Sequence, residues 1–369
     1  MSLQLSAYLS TIKPSVNFRQ NLAWNYGAFL EGIPQRLGMN KALDTAVAAL
    51  VSAHSNVCCK RKATPQTLVK YSLALDALKS NLDSPHEASS SESLCAIMVL
   101  LICQNFIGIP AGQWTGHCEG AAHMLRARGF QKPLDRFESM LLMSARGSVA
   151  IEGIFNTAIH FTDDEWRQIV DLDVSYQSEA AEGKVLCHLA SIPGLTRQMK
   201  KLPTERHLVL IEAQSHLAAI NNLMKKTREQ LLKVEPDEER PGSLAASMIH
   251  AAAMRAYGFC LAGTLIMHRM ICCLDTNNAT SAPESAVLVN ESLRLAEQAN
   301  TYSPFASAHI HFVLAAAYMN AVTDDQRQAI KIAISAYQID CSGDSWTDLH
   351  SPGLQWLDDL RCGFDMLFA

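Results

Sequence analysis

The chain has 369 residues, of which 49% are hydrophobic and 18% are charged, and its formal net charge is −5. This length and apolar content suffice to bury a large core, in one long domain or in two subdomains. The acidic balance excludes a strong electrostatic footprint for nucleic acid, since DNA binding rests on clustered lysine and arginine, and the densest basic run, residues 60–62, is too short to supply one.

The sequence does not indicate secretion or membrane insertion. No charged segment precedes a long apolar run near the N-terminus, as a signal peptide would require. No stretch reaches the roughly 18 apolar residues of a membrane span, and the closest, residues 94–109, is interrupted by Gln104 and Asn105. The eleven cysteines are scattered, often within apolar runs, which favours free thiols in a reducing compartment. We therefore predict an intracellular protein, cytoplasmic or nuclear, without a membrane span or a disulfide framework.

The periodicity of the chain predicts an all-α fold, a single large domain of mainly antiparallel helices. Alanine, leucine and methionine recur at spacings of three and four residues, whereas the alternating β-branched runs of strands are lacking. Helices are predicted over residues 41–56, 93–106, 113–128 and 134–155. Between the first two of these, Leu68, Leu75, Leu78 and Leu82 mark another helix. A short helix capped by Thr162 follows, then residues 203–233 and 243–274, and three or four further helices.

The charged, proline-containing segment 235–242 is the best candidate for a hinge. We predict one helical domain over residues 1–369, and any division into two subdomains is expected near this segment. The sequence has no internal repeat with a fixed period.

An ordered set of motifs lies between Tyr71 and Gly129. Helical signals are followed there by Trp114-x-x-His117-x-x-Gly120-Ala121, then Leu125 and Arg128-Gly129. This order resembles the regulatory (middle-homology) domain of fungal zinc-cluster transcription factors, and residues 32–54, 126–155 and 161–166 resemble its flanking elements. The resemblance implies a helical domain that senses or transmits small-molecule signals. It also implies that Trp114, His117 and Gly120 mainly serve helix packing, with Gly120 permitting a close helix contact.

The sequence departs from that family at the DNA-binding head. The head needs six cysteines around two zinc ions, arranged with C-x2-C pairs, whereas Cys58-Cys59 and Cys272-Cys273 are adjacent pairs and no C-x2-C is present. The resemblance begins at residue 32, so we expect no room for a head and no direct DNA binding. We also expect no metal and no other cofactor, because nucleotide-binding and metalloprotease motifs are lacking.

Candidate functional residues lie in the long apolar helix predicted over residues 243–274, in which polar groups recur at helical spacing. We predict three catalytic residues on this helix, Tyr257, His268 and Arg255. The predicted ligand-binding residues are His250, Met254 and Leu261 on the same helix, with Trp114 and His117 as an opposing wall. His250 and His268 lie eighteen residues, or about 27 Å, apart and cannot share one small ligand. The alternative interpretation is a core helix whose polar groups find partners within the protein.

Two hypotheses from different classes remain open. In the first, the scaffold binds a small apolar metabolite of specialised metabolism and converts it by cofactor-independent cyclisation or isomerisation, holding one conformer and placing donors near developing charge. In the second, the chain regulates transcription through a partner protein, as a homodimer or with another regulator, without chemistry. The missing head, basic patch and tail favour the first hypothesis slightly.

Overall fold

The computed structural model describes residues 3–13, 17–107, 115–128, 133–156, 158–159, 161–171, 181–201, 206–235, 243–275, 281–342 and 352–368. Within these ranges the chain forms α-helices, two short 3-10 helices (Ala28–Gln35 and Asn300–Tyr302) and no strands. The predicted all-α fold is therefore confirmed. The α-helices are α1 (Leu3–Ile12), α2 (Leu22–Tyr26), α3 (Lys41–Cys58), α4 (Pro65–Leu82), α5 (Pro85–Ala88), α6 (Ser91–Ile107), α7 (Thr115–Ala127), α8 (Arg136–Phe155), α9 (Asp163–Asp171), α10 (Ala181–Leu189), α11 (Ile192–Lys201), α12 (Arg206–Lys233), α13 (Leu244–Leu274), α14 (Ser281–Ala299), α15 (Ile310–Asn320), α16 (Asp324–Ser342) and α17 (Pro352–Phe368).

The chain divides into two compact units. Unit 1 consists of Met1–Glu152, Pro304–Ala306 and Gln338–Ser345, and unit 2 consists of Gly153–Ser303, Ser307–Tyr337 and Trp346–Ala369. The division falls within α8. The hinge expected near residues 235–242 stays a prediction, because residues 236–242 lie outside the described part of the chain.

Unit 1 is built around α6. Most of this helix is buried, from Ser93 to Phe106, and a helix that is apolar on every side has to be surrounded. Helices α3, α4 and α7 pack against it, and α3 also packs along α4. The polar caps predicted for such helices are present, since Asn40 accepts a hydrogen bond from the Leu43 N–H at 3.1 Å and Thr64 caps α4 ahead of Pro65.

Helix α4 turns most of its leucines outward. The helix marked by Leu68, Leu75, Leu78 and Leu82 is confirmed, but only Leu78 is buried. The buried side carries Thr67, Tyr71, Ala74, Ala77 and Leu78. Small side chains on this side let α3 approach closely, and the larger leucines lie outside this contact, on the flanks of the buried side.

A buried ion pair joins the end of α7 to the start of α8. The Arg128 guanidinium contacts the carboxylate of Glu138, whose side chain is 2% exposed. Glu138 also accepts hydrogen bonds from the Ser91 hydroxyl at 2.8 Å and from the Leu134 N–H at 2.5 Å. Three donors around one carboxylate satisfy a charge that would otherwise be costly to bury.

Unit 2 is organised around α13. Helices α10, α12, α14, α15 and α17 all pack against it. At Gly263 the packing is close, because a Cβ there would lie 2.8 Å from Cγ1 of Val185 on α10. Glycine at this position therefore sets how near α10 can lie to α13.

Helix α13 is also the only helix in the described ranges that is long and apolar enough to cross a membrane. It replaces residues 94–109 as the most membrane-like segment. Within the protein, 78% of its most apolar 18-residue stretch is buried, and a core helix passes the same test of length and composition.

Removal of the buried carboxylate tests the ion pair in unit 1. We expect Glu138→Ala to lower the free energy of unfolding by about 3–5 kcal/mol, because Arg128 would be left half-buried without its partner. Asp164→Ala is the control, since Asp164 pairs with Arg167 on the exposed surface, where such a pair contributes less than about 1 kcal/mol. Urea unfolding of both variants measures the difference, and equal losses would contradict this account.

Candidate functional site

The predicted face of α13 lies inside unit 2. His250, Met254, Tyr257, Leu261 and His268 are all buried, and the Ser243 hydroxyl accepts a hydrogen bond from the Ala246 N–H to begin the helix. Burial lowers the pKa of His250 and of His268, in each case against a smaller opposing effect from a glutamate. Both imidazoles are therefore held towards the neutral form.

The polar groups of α13 find partners on different neighbouring elements. The Tyr257 hydroxyl donates to Oε1 of Glu291 on α14 at 3.1 Å. His250 Nδ1 lies 2.7 Å from the Tyr302 hydroxyl. Arg255 Nε lies 3.7 Å from Oε1 of Glu182 on α10. These contacts show how a buried helix accommodates polar side chains.

The three predicted catalytic residues do not meet at one point. Arg255 and Tyr257 are two residues apart, or about 200° around a helix, and they reach carboxylates on α10 and α14 respectively. His268 lies eleven residues beyond Tyr257, about 16 Å along the axis. Burial, followed by the charge of Glu291, raises the pKa of Tyr257 well above its usual value. The catalytic roles of these residues stay predictions.

The predicted opposing wall belongs to another part of the chain. Trp114 lies outside the described residues. His117 is in unit 1, where its Nε2 lies 2.8 Å from the Tyr71 hydroxyl, whereas α13 is in unit 2. Burial lowers the pKa of His117 to about 4. Gly120 is not needed for a close helix contact, because a Cβ there would lie an ordinary 3.7 Å from Cδ1 of Ile97.

A cavity of about 460 Å³ lies elsewhere in unit 2, among α9, α10, α11 and α12. We call it the α9–α12 cavity. Its lining combines apolar side chains, Trp166 and Leu195, with polar ones, Ser191, Gln198, Glu212 and His216. Its volume falls within the range of pockets that hold small organic molecules, about 300–1,000 Å³.

Two histidines face each other at this cavity. Nδ1 of His188 on α10 lies 3.0 Å from Nδ1 of His216 on α12. Burial lowers the pKa of both rings, and the neighbouring imidazole lowers that of His188 further. Because two protonated rings cannot share this contact, one neutral ring donates its N–H to the other.

Trp166 closes one side of the cavity. Its side chain is 3% exposed and packs edge-on against Phe161, with ring centroids 5.0 Å apart. A Cβ at Gly153 would lie 2.5 Å from Cη2 of Trp166, so glycine at residue 153 makes room for the indole. Helix α9 is fixed by reciprocal hydrogen bonds between Thr162 and Glu165, as its sequence predicted. The buried indole N–H of Trp166 has no acceptor among the described residues.

The sequence alone does not reveal this cavity. Its histidines are 28 residues apart, and no local spacing connects them. One signal was present, since His216 falls on the buried stripe of α12 formed by Val209, Ala213 and Ile220, where an apolar residue is expected. A polar residue within such a stripe indicates a partner or a ligand.

Metal chemistry is not indicated in the part of the chain that the structure describes. There, His, Cys, Asp and Glu form no group of three or more that could hold a metal ion. The ten cysteines whose side chains are described are free thiols. That the protein needs no cofactor stays a prediction.

The geometry defines a large all-helical scaffold with a cavity of small-molecule size. The sequence profile of the fungal specific transcription factor domain matches residues 5–347. The chain therefore belongs to the fungal specific transcription factor domain family. No protein with a curated description and no solved structure is significantly similar to it.

The low pKa of His117 predicts how stability depends on pH. The folded value of about 4 lies below the unfolded value of about 6.5. The unfolded chain therefore binds more protons between these values, and stability present above pH 6.5 is lost as the pH falls towards 4. We expect this residue alone to account for about 2 kcal/mol between pH 7 and pH 4.5.

His117→Gln provides the comparison for this prediction, because it removes the titration and leaves the other buried histidines in place. Urea unfolding of both proteins at several pH values measures it. The unfolding free energy of the variant should fall less steeply with acid than that of the parent. Parallel pH profiles would contradict the low pKa.

Proposed function

We propose that the chain regulates transcription by contacting a partner protein through an exposed apolar surface on α4. This α4 leucine face consists of Leu68, Val69, Leu73, Leu75 and Leu82. Membership of the transcription factor domain family supports a regulatory role, and the exposure of this face is the single observation that points to where a partner binds.

The α4 leucine face brings five exposed apolar side chains together on one helix. These side chains are 37–59% exposed. Leu68, Leu75 and Leu82 are spaced by seven residues and lie on one line along the helix, whereas Val69 and Leu73 lie about 100–180° further around it. A line of exposed apolar side chains is typical of helix-binding protein interaction sites. An amphipathic helix of a partner protein matches such a ridge, since its apolar side can pack along it.

The polar side chains of α13 are paired within the protein, which supports a regulatory role over a catalytic one. Arg255, Tyr257 and His250 are engaged by Glu182, Glu291 and Tyr302. Groups held in this way stabilise the folded chain. A catalytic role would require them to converge on a reacting atom within about 3 Å.

Substitution of glutamate for apolar residues on the α4 leucine face tests whether a partner protein binds there. The chain is fused to a heterologous DNA-binding domain, which supplies promoter targeting, and reporter expression is measured in a fungal strain. Leu68→Glu with Leu75→Glu should reduce the reporter response by about tenfold, since burying a carboxylate in an apolar interface opposes association. Both side chains are exposed, by 47% and 37%, so the thermal midpoint should change little.

Leu232→Glu is the matched control, because Leu232 is a 62% exposed leucine on α12. It should keep the response of the parent chain. The proposal fails if the α4 double variant, at normal abundance and melting temperature, gives the same response as the parent. It also fails if the tethered parent leaves the reporter unchanged.

The first hypothesis of the sequence analysis, cofactor-independent cyclisation or isomerisation of a small apolar metabolite, has a test of its own. Such reactions conserve mass, so catalysis would appear as a pair of isomers whose ratio depends on Tyr257, His268 and Arg255. We expect Tyr257→Phe to cost about 1–2 kcal/mol of stability through the lost hydrogen bond to Glu291. We expect no change in isomer ratios beyond the loss of folded protein.

Mass spectrometry of strains that express the parent chain, Tyr257→Phe or His268→Ala measures these ratios, and thermal melting of the purified variants corrects for folding. An isomer pair that reverts to the ratio of the deletion strain in a well-folded Tyr257→Phe variant would establish the catalytic hypothesis instead.

A further inference from the structure

We propose that the α9–α12 cavity binds a small, uncharged, hydroxyl-bearing ring compound, whose hydroxyl is held between Glu212 and His216. This site lies in unit 2, whereas the α4 leucine face lies in unit 1. Binding of a ligand in the cavity is therefore independent of what α4 contacts.

The gap between Glu212 and His216 has the size of one hydroxyl group. Oε1 of Glu212 lies 3.9 Å from Nε2 of His216, which is too far for a direct hydrogen bond. An oxygen placed about 2.8 Å from both atoms would see them at an angle of about 90°. One hydroxyl can therefore contact both groups with acceptable geometry.

The histidine pair decides which way the proton of His216 points. His188 Nδ1 lies 3.0 Å from His216 Nδ1, and the acidic side chain of Glu212 favours a proton on the Nε2 that faces it. His188 then donates from Nδ1, and His216 accepts there and carries its proton on Nε2. Burial supports this neutral pair by lowering the pKa of both rings.

This proton arrangement selects for a hydroxyl. The cavity presents a donor, the His216 Nε2–H, beside an acceptor, the Glu212 carboxylate. A hydroxyl accepts from the first and donates to the second. An ammonium group can only donate, while an ether or a carboxylate can only accept, and a carboxylate would also be repelled by Glu212.

The remainder of the cavity suits an apolar ring. Trp166 and Leu195 supply apolar surface, and about 460 Å³ accommodates a bicyclic body with a short side chain.

Four probes with the same ring test the selection. We would measure the affinity of the full chain for 2-(1-naphthyl)ethanol, its methyl ether, 2-(1-naphthyl)ethylamine and 1-naphthaleneacetate by calorimetry and ligand-observed NMR. The alcohol should bind about tenfold more tightly than its ether and than the carboxylate, the effect of one hydrogen bond to a charged group. The ammonium of the amine can pair with the Glu212 carboxylate, so its affinity should fall with added salt, whereas that of the alcohol should not. Equal affinities, or no binding of the alcohol at about 1 mM, would overturn the proposal.

Three variants locate the binding. Glu212→Ala should reduce the advantage of the alcohol over its ether to about threefold or less, and it is expected to fold because Glu212 is 54% exposed. Gly194→Leu places a side chain at the cavity lining and should weaken binding of all four probes. Glu229→Ala removes another exposed glutamate of α12 and should change nothing. A preference for the alcohol that survives Glu212→Ala, or binding that Gly194→Leu leaves intact, would place the probes elsewhere.

Discussion

The apolar surface of α13 is the constraint on which unit 2 depends. A 31-residue helix buried on nearly every side needs a shell of other helices, and α10, α12, α14, α15 and α17 supply it. The shell also has to supply partners for the polar groups within α13. Arg269 Nε donates a hydrogen bond of 2.7 Å to Oδ1 of Asp365 on α17, and Arg255 pairs with Glu182 on α10. Burial of charge is tolerated there because each charge meets its opposite.

Unit 1 also surrounds one apolar helix with others, but it leaves leucines exposed on one of the surrounding helices. Helix α6 is surrounded by α3, α4 and α7, and the Arg128–Glu138 pair fixes where α7 ends and α8 begins. The close approach of α3 and α4 uses alanines on the buried side of α4. The leucines of α4 then face outward, the reverse of the usual amphipathic arrangement. Packing within unit 1 leaves these leucines exposed, and this exposure is the basis on which we propose α4 as a contact surface.

The sequence predicted the helices well and their exposed sides less well. Spacing and caps give the bounds of α3, α6 and α13 to within a few residues, because helix formation depends on local hydrogen bonds and periodicity. Which side of α4 is buried depends on where α3 lies, and spacing does not contain that information. The α9–α12 cavity was missed for the same reason, since His188 and His216 become neighbours only when α10 and α12 pack together.

Polar residues in an apolar run either pair with other groups of the protein or serve a ligand. Their hydrogen bonds distinguish these two cases. On α13, Tyr257 and His250 each lie within hydrogen-bond distance of a protein partner. Contacts within the protein therefore explain why polar residues occur at these positions. At the α9–α12 cavity, Glu212 and His216 lie 3.9 Å apart, which is too far for a direct hydrogen bond. Packing within the protein does not join these two groups, and the hydroxyl that we propose as a ligand group would bridge them.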